Sequence, residues 1–362
     1  MSSFAFIGSL TRPGPGAPRG RGITSARFDP LTGQITPFAE IDGVEDPNWL
    51  TLDARGRRLY AAAEDETAGQ GVVVAFAIAD DGTLREINRQ PTGGQTVCHS
   101  SLSPDGRFLL AANYNADPAP GAPDAAAVVF PIGPDGGLLP ASARVHHQGS
   151  GPNTERQARS HGHCVKVSPD GRFAYVTDLG SDRILCYALA AEGSLGPVPD
   201  SDKAVTPGSG PRHIVFSADG RRLYLITELL ATVVAYEVDT ETGALTLADT
   251  LTIEAEGSEV IYPSGLLLSP DGRTLFGEVR RSEEIVALAI EPPTGRLRLS
   301  GRWPSGGRTP RDFCFSPDGR FLLVANQDEG NVTVFPVDGA VLKPPVETLA
   351  IGAPMAVVVG EF

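Results

Sequence analysis

The residues best suited to chemistry in this chain are histidines, arginines and a glutamate that flank short apolar runs. His99, His161 with His163, Arg212 with His213, and Arg311 stand just ahead of such runs. Glu64, Asn113, Asp178, Glu228, Arg280 and Asn326 stand just behind others. Histidine and glutamate can move protons near neutral pH. An arginine held beside a shared axis is desolvated and needs an anionic partner. For Arg212 and Arg280 that partner is either Glu228 or the carboxylate or phosphate of a bound molecule. Asp178 and Asn326 read as loop caps, because Asp and Asn bond to nearby backbone amides. His99 and His213 suit either a packed core position or a ligand contact. His161-Gly162-His163 supplies only two metal ligands at its spacing, and no motif offers a third, so no metal is expected.

The elements that must position these residues are marked by a repeated turn. Ser103-Pro104-Asp105-Gly106-Arg107-Phe108 recurs at Ser168 to Phe173 and at Ser316 to Phe321. Ser269 to Thr274, Ser217 to Arg222 and Asp53 to Arg57 are looser copies. The shared glycines are separated by 50, 65, 49, 52 and 47 residues. Pro and Asp start a tight turn, and the glycine is expected to take the positive φ that other residues avoid. Apolar runs on both sides make each copy a β-hairpin. A hairpin unit repeated at about 50 residues indicates a propeller or solenoid.

Each unit reads as a four-stranded antiparallel blade. Six blades begin near Trp49, Cys98, His163, Arg212, Ser264 and Arg311. The ends of the chain supply a seventh. Phe4–Gly8, Thr24–Asp29 and Ile35–Ile41 are three strands with no hairpin turn before them, and Ala356–Gly360 is a strand without a partner. Placed as the inner strand of the first blade, that C-terminal segment closes the ring and removes both open edges. The expected fold is all-β, a seven-bladed propeller of four-stranded antiparallel blades spanning residues 1–362 as a single domain. Residues 115–126 and 145–160 read as loops. All six turns then lie at one end of the ring, and the chemical residues gather at the other, around the mouth of the central channel.

Composition narrows the partners. The net charge of −14 argues against nucleic acid, whose phosphates need a basic face. A small anionic ligand would need a local cationic pocket. No apolar run approaches the roughly 20 residues of a membrane span, so no membrane partner is expected. Four cysteines without paired spacing read as free thiols of a reducing compartment, and no secretory signal opens the chain, so the expected location is cytoplasmic.

Several stretches resemble one family: Gly210-Pro211-Arg212-His213, Thr227-Glu228-Leu229, His161-Gly162-His163, Asp178-Leu179-Gly180 and Cys98-His99 with Ala112-Asn113-Tyr114. Their order and spacing are similar to those of the lactonase seven-bladed propellers, which include propeller-type 6-phosphogluconolactonases and fungal carboxymuconate lactonising enzymes. The resemblance implies a catalytic set of His163, Arg212, Glu228 and Arg280. His99, Asn113, His161 and Arg311 would line the same mouth and contact substrate. It further implies a lactone hydrolase acting on a small anionic sugar-acid lactone without a cofactor, as a monomer or homodimer. Either His163 or Glu228 would be the base. A carboxymuconate cycloisomerase and a non-catalytic binding platform are the alternatives. One departure stands out. Where the family often has Ser-Asn-Arg-Gly, this chain has Glu278-Val279-Arg280-Arg281.

Overall fold

The structure is a computed structural model that describes all residues except Met1, Pro13, Pro15, Ala17, 116–123 and 254–261. Part of the expected loop 115–126 therefore lies outside the described residues. Seven antiparallel sheets surround one axis. The blade begun by Glu45–Asp53 continues through Arg58–Asp65, Gln70–Ile78 and Leu84–Pro91. The inner strands of the next five are Gln95–Leu102, Gly162–Val167, Pro211–Phe216, Pro263–Leu268 and Pro310–Phe315. Outer strands are less regular. In two blades the outer position is divided between two short segments, Leu195–Pro197 with Lys203–Ala204 and Val341–Leu342 with Glu347–Ala350.

The ring closes as the termini suggest. Pro354–Glu361 is the inner strand beside Ser3–Ser9, with Ile7 opposite Val357 and Phe6 opposite Val358. Hydrophobic packing follows the same circle. Seven clusters of buried residues each join two neighbouring blades. Phe4 and Phe6 meet Leu59 and Phe76, Tyr60 meets Leu109, and so on, until Phe321 and Leu323 meet Ala5 and Ile7. Each strand face is thus covered by the next blade rather than by a separate layer.

The repeated turn is stapled by its own side chains. Ser168 Oγ donates to Asp170 Oδ1 at 2.5 Å, the Arg172 and Phe173 amides donate to Asp170 Oδ1 and Ser168 Oγ, and the Gly171 amide donates to the Ser168 carbonyl at 2.8 Å. The glycine φ lies between +69° and +79° in five copies. The Asp53 copy differs. It has no serine, the Asp53 carboxylate accepts from the Gly56 amide at 2.9 Å, and Arg57 takes the positive φ at 53°. The expectation of a left-handed Gly56 is therefore corrected, since the cap has moved the turn by one residue.

The closing strand is tied to the blade begun by Pro310–Phe315 by one further bond: the Val357 amide donates to Asp312 Oδ2 at 3.0 Å. Replacing Val357 with proline removes that donor and breaks the seam. Urea unfolding of Val357→Pro is expected to show a loss of about 3 kcal/mol or more. A midpoint equal to wild type would contradict the role given to the closing strand.

Candidate active site

The inner strands share a device that aims their side chains. The pairing register slips between Val97 and His99, Gly162 and Cys164, Pro211 and His213, and Pro310 and Asp312. The residue inside each bulge is Cys98, His163, Arg212 or Arg311. A bulge leaves its extra residue unpaired and turns it away from the regular pleat. All four line one cavity on the axis, together with Trp49 and His213. The sequence placed His163, Arg212 and Arg311 ahead of the inner strands, whereas the structure puts them within the strands, as bulged members of the pleat. The cavity is small, about 40 Å³. That is room for a water or a carbonyl oxygen, so a larger ligand must extend from it into the mouth.

Beside the cavity, Glu228 is 2 % exposed and carries the only buried carboxylate of this cluster among the described residues. It follows the strand Arg222–Thr227 directly. Its Oε2 accepts from Arg212 Nε at 3.0 Å and pairs with Arg280 Nη2 at 2.8 Å. Its Oε1 accepts from Arg156 Nη2. Burial pushes the Glu228 carboxyl up, but Arg280 and Arg212 outweigh it, helped by His163 and Arg156, and hold the group well below the usual carboxylate range. Arg212 is held further: Nη1 also donates to the Ser264 carbonyl at 2.5 Å and to His213 Nε2 at 3.2 Å. The donation fixes His213 as an imidazole that accepts at Nε2.

Arg311 differs from its neighbours. Among the described residues it makes no hydrogen bond or ion pair. Burial lowers it to about 9, with Arg280 and Arg212 adding to the shift. His163, 5 % exposed, is held well below the ordinary histidine range by burial, then by Arg212 and Arg311. It is a neutral imidazole across the physiological range, and its ring sits 5.3 Å from that of His213. Cys98 donates to the His163 carbonyl at 3.1 Å, and burial raises its thiol to about 12. It has no thiolate character.

Other candidates are placed less directly. His161 stacks on Tyr114 at 4.4 Å and its Nδ1 pairs with the Tyr114 carbonyl at 2.8 Å. His99 lies against Trp49 with ring centroids 4.5 Å apart, and its Nδ1 accepts from the Val165 amide at 3.4 Å. Asn113 is committed to the Ala125 carbonyl at 2.8 Å and acts as a loop pin rather than a group facing the cavity. Among the described residues no set of His, Cys, Asp and Glu converges as metal ligands do.

Arg156 is the residue that sequence patterns did not single out. It belongs to no blade strand but to the connection between Ala143–Val145 and Gly162–Val167. Two anchors hold that connection. Fully buried Gln157 donates to the Leu179 carbonyl and to Asp182 Oδ1, at 2.9 and 2.8 Å. Asp178 accepts from Ser160 Oγ at 2.5 Å and from the His161 amide at 2.8 Å, and pairs with His147 at 3.2 Å. The only sequence clue is the run of polar residues able to make such anchors.

The full chain fits one family description, "Lactonase, 7-bladed beta-propeller", over residues 4–359. The chain belongs to this lactonase propeller family. It is 30% identical over 356 residues to the 6-phosphogluconolactonase of Formosa agariphila, covering 96% of this chain and 97% of that protein. It is 28% identical to the Bacillus subtilis 6-phosphogluconolactonase, over 92% of this chain and 91% of that protein. The solved structure of the Pseudomonas aeruginosa periplasmic gluconolactonase PpgL is similar at a TM-score of 0.90 and 31% identity, covering 100% and 99% of the two chains.

Behind Arg311, Asp312 and Glu278 are buried carboxyls. Burial raises Asp312 to about 7, and burial then Asp312 raise Glu278 further. The Val357 and Phe313 amides, then Arg212 and Lys166, pull Asp312 the other way but do not cancel the rise. A raised carboxyl favours the folded state while neutral. Its contribution is complete below the unfolded carboxylate range and is lost as pH rises through about 7. The melting temperature is therefore expected to fall between about pH 4 and about pH 7 and to level off above that, and Asp312→Asn is expected to flatten part of that fall. Parallel curves for the two proteins would contradict it.

Proposed function

We propose that this protein hydrolyses the lactone of an anionic sugar acid, with 6-phosphogluconolactone as its substrate. The observation that carries the reading is the charge balance of the mouth. Arg156, Arg212, Arg280 and Arg311 face one carboxylate, Glu228, beside a neutral imidazole and a cavity sized for one oxygen. In a chain of net charge −14 this excess of positive charge is local, and an anionic substrate neutralises it. The Formosa agariphila and Bacillus subtilis relatives carry the name 6-phosphogluconolactonase, and PpgL that of a gluconolactonase.

In this reading His163 is the base and Glu228 is not. Glu228 is ionised and clamped by three guanidiniums, which makes it a poor proton acceptor. It serves to hold Arg212 and Arg280 in place. His163 takes a proton from a water, whose oxygen forms a bond to the lactone carbonyl carbon. The developing oxyanion lies toward Arg311, whose guanidinium has no competing partner among the described residues, with Arg212 behind it. The ring C–O bond then breaks, and the ring oxygen takes the proton back from His163, leaving a free hydroxyl and a carboxylic acid, which releases its proton to solvent as a carboxylate. The same arginines that lower His163 are offset when an anion binds, so the imidazole gains basicity in the substrate complex.

Kinetics test each part. Wild type is expected to hydrolyse 6-phosphogluconolactone well above its spontaneous rate. Arg212→Ala should lose about 10²–10³-fold in kcat/KM, and His163→Asn about 10²–10⁴-fold. The acid limb of kcat/KM reports the free protein and should lie below the ordinary histidine value of about 6.5, whereas the limb of kcat should lie higher. No acceleration by wild type, or a change in carboxymuconate absorbance in place of lactone hydrolysis, would overturn the reading.

A further inference from the structure

Arg281 is the second arginine of the Glu278-Val279-Arg280-Arg281 stretch, and the hydrolytic site described above gives it no role. It is exposed, and among the described residues its guanidinium meets one group only, the ring of Tyr262, at 4.6 Å from the centroid. That ring is shared. Arg156 lies 5.5 Å and Arg280 5.6 Å from the same centroid. Three cations thus surround one aromatic side chain at the rim of the channel. The ring's negative face offsets part of their repulsion, but it supplies no charge.

The backbone of Tyr262 takes a conformation that recurs near the start of several inner strands. Its φ is +46°, in the left-handed region that bulky residues rarely adopt. In that conformation its carbonyl accepts from Arg280 Nε at 2.9 Å, which locks Arg280 beneath the ring and toward Glu228. Such strain persists where the surroundings enforce it, and Thr96, Thr309 and Ala353 take it near the start of other inner strands, at φ of 54°, 57° and 35°. Of the three arginines, Arg280 is committed inward. Arg156 bridges the two zones, with Nη2 also bonded to the Tyr114 hydroxyl at 3.2 Å and its side chain 32% exposed. Among the described residues Arg281 makes no hydrogen bond or ion pair and meets only the Tyr262 ring.

We infer that Arg281, Arg156 and Tyr262 form a rim subsite for a phosphate monoester dianion at the far end of the substrate. The inference rests on the lactonase reading and deepens it. The 40 Å³ cavity takes the reacting oxygen. The sugar chain runs outward from it, and the end most distant from the carbonyl reaches the rim. Two guanidiniums match a dianion in charge and in their forked donor geometry. Tyr262 keeps them preorganised in the empty site and offers an apolar face to the carbon chain.

The test separates this subsite from the hydrolytic reading. Calorimetric titration with inorganic phosphate, 6-phosphogluconate and gluconate needs no turnover. Wild type is expected to bind 6-phosphogluconate more tightly than gluconate, and Arg281→Gln to weaken phosphate and 6-phosphogluconate about tenfold. In turnover, the preference for 6-phosphogluconolactone over gluconolactone, taken as a ratio of kcat/KM, should fall about tenfold in Arg281→Gln, mainly through KM. Phosphate bound equally by both proteins would overturn the subsite, as would an unchanged preference. Arg281-dependent phosphate binding in a wild type that hydrolyses neither lactone would sink the hydrolytic reading and leave the subsite standing.

Discussion

A single buried carboxylate, Glu228, is held by guanidiniums from three separate parts of the chain. Arg212 arrives on the inner strand of its own blade, Arg280 from the end of a strand in the next blade, and Arg156 from the connection that precedes Gly162–Val167. Removing three charges from water is costly unless each finds an opposite charge in good geometry. Glu228 meets that need for all three with two oxygens. The arrangement requires a closed ring, because only closure brings neighbouring blades to one axis at fixed angles. It also leaves the cluster net positive, which is the property that any function of this mouth must use.

Fold and site are built from different features of the same repeat. The Ser-Pro-Asp-Gly turns staple one end of each hairpin through local bonds such as Ser168 to Asp170. The bulges lie at the opposite end and reorient one residue per inner strand, giving Cys98, His163, Arg212 and Arg311 a common target. Blade packing is apolar and continuous around the circle, from Phe4 to Phe321. The polar mouth therefore does not have to stabilise the ring, and it tolerates an arginine unpaired among the described residues and a strained Tyr262.

Much of this was legible in the residues. The turn repeat exposes the blade period, and the unpartnered run Ala356–Gly360 has one place to go. The positions of His163, Arg212, Glu228 and Arg280 follow, because equivalent points of consecutive blades must converge. What was not legible depends on contacts made outside the repeat. Arg156 sits in a connection whose course is set by Gln157 and Asp178, and no periodic pattern marks it. Asn113 has the same sequence setting as Glu228, yet its amide is taken by Ala125. Gly56 looks like the other turn glycines, but the missing serine hands its conformation to Arg57. The open choice of base between His163 and Glu228 could not be narrowed without knowing how many arginines touch the carboxylate.

The central claim is that Glu228 stays ionised because three arginines hold it. Infrared difference spectra between wild type and Glu228→Gln, with ¹³C-labelled glutamate, read that carboxylate directly as pH is lowered. The account predicts that its carboxylate band persists at about pH 4, below the ordinary glutamate value of about 4.3. Conversion to the protonated carbonyl band at or above that value would contradict it.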